Sequence, residues 1–440
     1  MKAILVAGLA FGDEGKGTMV DFLCRHYGAK LVVRYNGGPQ AGHNVITEDG
    51  RHHCFAQFGS GSFIPGCQTY LSEHMLIEPY AMINEHDVLK EKDTWGIPYP
   101  YVDPNAIIIT PWQWMANRIK ELARGGDRHG SCGMGIGEAQ SDHEEGKSFL
   151  VCDILSPYAR ERLHIVRAKN LAKCMPFLGM DHTADEIYKQ MAVINPVDEL
   201  RFYTKDFWPK VKIKTWREVI ASELPEAMVF EGAQGMLLDE KYGCSPYNTW
   251  SNCSFGNATK LLSGMNAQVL RVGVTRTYFT RHGAGPFVAE TGNIKHSELH
   301  NVNGQWQGSV RKGYLDIPAL RYSLQAIGGV DFLALTHMDR IGKSEGVIYC
   351  DAYVTRSGFE YTILENTPAY LNRCSPSLLR TESVVDTLES NLNFKVGFTS
   401  WGPKSNEKVV SKVVGFRGEA CAGGYREDGG GQDPVRCGSG

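Results

Sequence analysis

Residues 6–23, VAGLAFGDEGKGTMVDFL, complete an apolar run begun at Ala3 and constrain the fold more than any other stretch. An apolar run, a glycine, a short loop and a lysine heading an amphipathic stretch make the plan of a buried strand, a phosphate-binding turn and a helix start. Backbone N–H groups from Gly15 to Gly17, with the Lys16 ammonium, suit a polyphosphate. Two positions depart from the strict GxxxxGK[ST] pattern: Ala10 stands where glycine is usual, and Gly17 where a hydroxyl is usual. Asp13 and Glu14 are the larger departure. A carboxylate beside phosphate is costly unless it binds a cation or takes a proton. No GxGxxG is present there, which argues against a dinucleotide-binding Rossmann site.

The strand-then-helix pattern recurs. Short apolar runs at Ala3–Ala7, Leu31–Arg34, Ala106–Thr110, Met228–Phe230, Val269–Val274, Phe332–Thr336 and Lys395–Thr399 read as strands. Met115, Ile119 and Leu122 keep helical spacing, as do Ile317, Leu320 and Leu324. The expected fold class is α/β, a large mostly parallel sheet flanked by helices. Glycine-rich polar stretches fall where strands end: NGGPQAGHN (36–44), GSCGMGIGEA (130–139), EGAQGMLLDEKYG (231–243) and TRHGAGPF (280–287). In an open α/β sheet, ligands bind at the carboxyl ends of strands, so these loops and the first one predict a single extended site.

A net charge of −3 argues against a whole-surface binder of nucleic acid or anionic membrane. No apolar run approaches the roughly 18 residues of a membrane helix. The start, MKAILVAGLAFG, runs into Asp-Glu-Gly-Lys with no small-residue cleavage site, so a first strand is expected rather than a signal peptide. Twelve cysteines, none in a CxxC pair, fit reduced thiols and a cytoplasmic protein better than a zinc ribbon or disulfide framework. Residues 417–440, rich in glycine and polar side chains, read as a flexible tail after a catalytic domain spanning 1–416.

Two further motifs carry chemistry. His43, after two glycine turns in NGGPQAGHN, is a candidate catalytic residue on a loop. LALTHMDRIG (333–342) ends a buried strand in Thr-x-x-Asp. A carboxylate there accepts from guanine N1–H and its exocyclic amine, a donor pair that adenine lacks.

The ordered segments GLAFGDEGKG, RYNGGPQAGHNV, FEGAQGMLLD with Pro246–Asn252, TRHGAGPF, GYLD, THMD and SWGP resemble adenylosuccinate synthetase over about residues 3–412. The resemblance implies a distantly GTPase-like sheet with inserted helical and antiparallel subdomains, working as a homodimer on small molecules rather than on nucleic acid or membrane. It implies a GTP-dependent ligase that joins L-aspartate to C6 of IMP through a 6-phosphoryl intermediate. Asp13 would take the purine N1 proton, His43 would assist the phosphoryl group, and Lys16 would neutralise it. Mg2+ would be held by Asp13 and the Gly42 carbonyl. Gly12, Gly15, Lys16, Gly17, Asp339, Ser400 and Gly402 would bind GTP. Asp13, Gln40, Ser131, Cys132, Gln234 and Thr249 would contact the purine nucleotide, and Arg311 with Lys312 the amino acid.

Departures from the family pattern cluster around the anionic substrates. Gln40 replaces asparagine, and Ser131-Cys132-Gly133-Met134 replaces Thr-Thr-Gly-Arg. Lys147 is the nearest cation to the missing downstream arginine. His337 replaces the lysine that stacks on guanine. Residues 304–312 keep only Arg311 and Lys312 where several arginines are usual. Two alternatives follow: a relative acting on GMP or dGMP, and a catalytically silent GTP-binding protein. Phage enzymes of the first kind tend to replace the loop carboxylate with a small hydroxyl residue. Retained Asp13 favours IMP, and retained Asp13 with His43 favours catalysis.

Overall fold

In the first strand, Lys2–Gly8, Ala3, Leu5 and Ala7 enter one apolar core while Ile4 and Val6 enter another on the opposite face. Alternate residues buried on both sides are what a central strand requires, and they explain why the run is apolar without interruption. The computed structural model describes residues 1–92, 96–223, 225–296, 306, 308–341, 346–412 and 414–416. The expected tail at 417–440 lies outside them.

A ten-stranded sheet organises the chain. Its order is Lys212–Ile213, Tyr101–Val102, Gln68–Leu71, Leu31–Arg34, Ala227–Gly235, Lys2–Gly8, Gln268–Arg276, Phe332–Thr336, Val396–Ser400 and Lys408–Val410. Every pairing is parallel except the last, where Lys408–Val410 runs antiparallel along the edge. Helices Lys16–Tyr27 and Ile317–Ile327 bury apolar stripes in the two face cores. A third core packs the helices Pro111–Ala123, Ala159–Cys174 and His182–Val193. Strands Tyr278–His282, Val310–Asp316, Val347–Thr355, Gly358–Glu360 and Ser375–Thr381 form a second, mostly antiparallel sheet.

One expected strand fails to join the main sheet. Of Ala106–Thr110, only Ile107–Ile108 is extended, in a small sheet with Leu76–Ile77 and Phe149–Leu150. Thr110 instead caps the helix Pro111–Ala123, its N–H donating to the Gln113 side chain at 2.8 Å. The capping box and Pro111 at the first helical turn end the strand early. Conversely, Met228–Phe230 is the middle of a longer strand, Ala227–Gly235, with Gln234 at φ 57°.

Candidate active site

The carboxyl ends of six parallel strands face one region: Gly8, Arg34, Gly235, Arg276, Thr336 and Ser400. The loop after Gly8 is pinned from beneath. Glu14 is fully buried, and its carboxylate accepts from the N–H groups of Ala10 (2.8 Å) and Gly12 (2.9 Å) and from Lys16 Nζ (2.6 Å). This acid therefore shapes the loop rather than opposing a phosphate. Thr336 Oγ1 donates to the Glu14 carbonyl at 2.6 Å, and Arg276 Nη1 to the Asp13 carbonyl at 3.0 Å. Gly15, at φ 87°, turns the chain into the helix Lys16–Tyr27.

Gly17 answers the missing hydroxyl. A Cβ there would lie 2.8 Å from His43 Cβ and 2.9 Å from its carbonyl carbon, so the helix start and His43 touch through bare backbone. His43 lies not on a loop, as expected, but at the start of the strand His43–Ile46, where pairing with Phe55 buries it to 5% exposure; its Nδ1 lies 2.5 Å from Glu231 Oε1. Glu231 also accepts from Ser60 N–H (2.9 Å) and the Ser60 hydroxyl. Desolvation pushes the Glu231 carboxyl up, but His43, Arg34 and Ser60 outweigh it and keep it below the usual carboxylate range. Burial lowers the His43 pKa against the pull of Glu231, with Arg34 and Lys16 assisting burial. A carboxylate on Nδ1 fixes the imidazole's tautomer and orientation.

Asp13 stands opposite, its Oδ2 2.9 Å from His282 Nε2. Burial pushes its carboxyl up. The His282 hydrogen bond and charge, then Arg276 and Lys16, more than offset this and hold it below the usual range. It is ionised at neutral pH and ready to accept a proton.

Two cavities meet at these residues. The larger, about 750 Å³, is lined by Asp13, Gln40, Ser131, Cys132, Gln234 and Thr249, among others. The smaller, about 210 Å³, is lined by Gly12, Gly15, Lys16, Gly17, Asp339, Ser400 and Gly402, with Thr18 and His337. Gly12, Asp13, Gly42 and His43 belong to both walls. Every residue expected at the purine nucleotide thus lines one cavity, and every residue expected at GTP the other.

Arg311 and Lys312 line neither. Arg311 is committed to the Glu290 carboxylate and to the carbonyls of Gly283 (3.1 Å) and Gly285 (2.7 Å). Lys312 donates to the carbonyl of His296. Of the loop before them, 297–305 and residue 307 lie outside the described residues.

The polar lining of the larger cavity points to a ligand. Both amide atoms of Gln40 and Oε1 of Gln234 are buried without a hydrogen-bond partner among the described residues. Gln234 holds a left-handed backbone that a non-glycine residue adopts at a cost, a kind of strain concentrated at functional sites. Burial raises the Cys132 thiol to about 11, so it stays neutral. In the smaller cavity His337, at φ 60°, starts the turn Met338–Arg340 that presents Asp339. Desolvation, then Arg276, Arg340 and Lys408, lower its pKa well below the ordinary value, so it contributes no charge.

The sequence model of the family described as adenylosuccinate synthetase matches residues 5–395. The chain belongs to the adenylosuccinate synthetase family. The adenylosuccinate synthetase of Chlorobium chlorochromatii (strain CaD3) is 31% identical over 437 residues, 92% of this chain and 97% of that one. That of Paraburkholderia phytofirmans is 31% identical over 431 residues, 93% and 91% of the two chains. The fully ligated adenylosuccinate synthetase structure from Plasmodium falciparum superposes with a TM-score of 0.73 at 20% identity, covering 93% of this chain and all of that one. A cyanophage S-2L succinoaminodeoxyadenylate synthetase, bound to dGMP and dATP, gives 0.56 at 15% identity over 93% and 95%. These two likenesses establish the fold.

Several site residues have no role assigned by sequence reasoning. Glu231 and His282 sit inside the quoted segments FEGAQG and TRHGAGPF, yet their partners are remote in the chain. Arg276 lies just before the second segment, and Ser60 in none.

Proposed function

We propose that this chain is a GTP-dependent ligase joining L-aspartate to C6 of IMP. The observation that carries the reading is the shared wall: Asp13 and His43 belong at once to the larger cavity and to the cavity of the phosphate-binding loop. Asp13 takes the N1 proton of the 6-oxopurine, and the electron pair passes to O6. That oxyanion attacks the γ-phosphate of GTP across the wall, breaking its bond to the β-phosphate oxygen and releasing GDP; the aspartate amine then attacks C6 and displaces phosphate, its proton leaving with the phosphate. Lys16 and the N–H groups of the loop stabilise charge on the transferring group, and His43, held by Glu231, stands beside it. Incoming phosphate opposes the effect of burial on His43 and favours its protonated form.

Mg2+ fits the same wall. Magnesium is usually held by one or two carboxylates, with phosphate oxygens and waters completing its octahedron. Asp13 and the Gly42 carbonyl would supply such a partial set, and no group of three or more His, Cys, Asp and Glu side chains is found among the described residues. When bound, the ion would offset the charge of the phosphates. Asp339 reads guanine, with Ser400 and Gly402 beside the base. Aspartate is held by Arg311 once Glu290 yields the guanidinium, with Lys312 a weaker second cation. A cytoplasmic homodimer is part of the same reading, as is a single catalytic domain over residues 1–416.

The test crosses IMP, GMP and dGMP with GTP or ATP and a panel of amino acids, following phosphate release and product mass. Fastest ligation with IMP, GTP and aspartate supports the proposal. Preference for GMP or dGMP replaces the substrate, and GTP binding without turnover of any combination makes the chain a silent binder.

A further inference from the structure

Asp13 is anchored at both ends. Its carbonyl accepts from Arg276 Nη1 at 3.0 Å, and its carboxylate Oδ2 lies 2.9 Å from His282 Nε2. An ionised carboxylate only accepts, so a hydrogen bond across this ion-pair contact would be donated by Nε2–H, whether the imidazole is neutral or charged.

His282 is itself held by rigid elements. It ends the strand Tyr278–His282, opposite Val310 in the antiparallel pair with Val310–Asp316. Immediately before it, the buried Arg281 guanidinium donates to the carbonyls of Ala284 (3.1 Å), Pro286 (2.7 Å) and Tyr247 (3.3 Å). These three bonds fix the turn that follows, and Arg311 adds two more at Gly283 and Gly285. The Asp13–His282 distance is therefore set by two frameworks, the main sheet and the second sheet.

We propose that His282 is a positioning residue for the Asp13 carboxylate, holding Oδ2 through Nε2–H so that Oδ1 receives the purine proton. This rests on the ligase reading above. The step balances without a further reactant: the N1–H bond breaks, the Oδ1–H bond forms, and the electron pair stays on the purine as the O6 oxyanion. Protonated Asp13 still accepts from Nε2–H at its carbonyl-like Oδ2, so the hold persists through the transfer. A carboxylate free to rotate about χ2 would spend much of its time with neither oxygen aligned. Misplacement of a reacting group by about 1 Å can cost roughly 100-fold in rate.

The test compares His282→Val, which removes the donor, with His282→Gln, whose side-chain amide reaches nearly as far as Nε2. In steady-state assays with IMP, GTP and aspartate, His282→Val should lower kcat about 10- to 100-fold, with the KM values of both nucleotides within about threefold. His282→Gln should recover most of the loss. Wild-type kcat in His282→Val, a raised KM for IMP at constant kcat, or failure of glutamine to rescue each overturns the proposal; the second makes His282 a substrate contact. High-resolution crystal structures give a readout independent of turnover. Asp13 should hold one side-chain conformer in the wild type and in His282→Gln, and more than one in His282→Val. One unchanged conformer in all three overturns the proposal, even if no ligation is ever seen. Absent wild-type ligation together with the expected conformers sinks the ligase reading alone.

Discussion

Glu231 Oε1 lies 2.5 Å from His43 Nδ1, and the two residues are 188 positions apart in the chain. The carboxylate accepts three donors: His43 Nδ1–H, the Ser60 N–H and the Ser60 hydroxyl. Glu231→Gln turns one acceptor into a donor and leaves at least one buried donor facing another. Stability should fall by about 1–3 kcal/mol, seen as a lower Tm. kcat should fall roughly tenfold or more as the imidazole loses its fixed tautomer. A variant with wild-type Tm and kcat would show that the pair is incidental.

Asp13→Asn should bind GTP within a few-fold of the wild type and lose about 10²–10⁴ in turnover. The amide cannot accept the purine proton. Calorimetric titration with GTP and product assays separate the two effects. A tenth of the activity remaining would reduce Asp13 to a loop residue.

Gly17→Ser restores the hydroxyl of the strict phosphate-loop pattern, yet it should be harmful here. Its Cβ would sit 2.8 Å from His43 Cβ, so the helix start or the histidine must move. kcat should fall roughly tenfold or more, because a shift of about 1 Å at His43 suffices. Improved GTP turnover would contradict the close packing of the two residues.

Asp339→Asn should erase most of a GTP preference over ATP. Burying the carboxylate against adenine N1, with no donor pair, should cost about 1–3 kcal/mol, roughly 5- to 150-fold. The ratio of kcat/KM for the two triphosphates measures it. Equal use of both by the wild type removes Asp339 from base recognition.

Arg311→Leu should raise the KM for aspartate steeply while both nucleotide KM values hold. A bidentate guanidinium orients a carboxylate in a way that a point-charge lysine does not. Glu290 pairs with Arg311, so aspartate bound there would have to displace one carboxylate to gain another. Faster product formation with a neutral amino acid than with aspartate would sink the substrate assignment and spare the chemistry.

The sheet was legible where the chain is buried on both faces. Ala3–Ala7 is an uninterrupted apolar run, and Leu31–Arg34, Val269–Val274 and Phe332–Thr336 are mostly apolar, because these strands are largely buried on both faces. The run Ala106–Thr110 has the same composition, but its destination depends on the cap at Thr110 and on neighbours far away in sequence. The local motifs supply residues to the walls of both cavities, but GSCGMGIGEA (130–139), expected at a strand end, instead follows the helix Pro111–Ala123 and runs into the helix Ile136–Glu144. What they did not reveal were pairings between motifs: Glu231 with His43, His282 with Asp13, and Gly17 against His43. Those arise only when loops from different strands meet. The lock on Arg311 was hidden for the same reason, because Glu290 carries no motif of its own.

The Thr336 hydroxyl, bonded to the Glu14 carbonyl, ends the strand that leads directly to the turn bearing Asp339. One short link thus joins the turn bearing Asp339 to the loop after the first strand. If Asp339 reads guanine as proposed, a triphosphate with the wrong base would strain the same link that shapes the phosphate loop. Selectivity at this site would then be mechanical as well as chemical: an ill-fitting base would be held less often and, while held, would react more slowly.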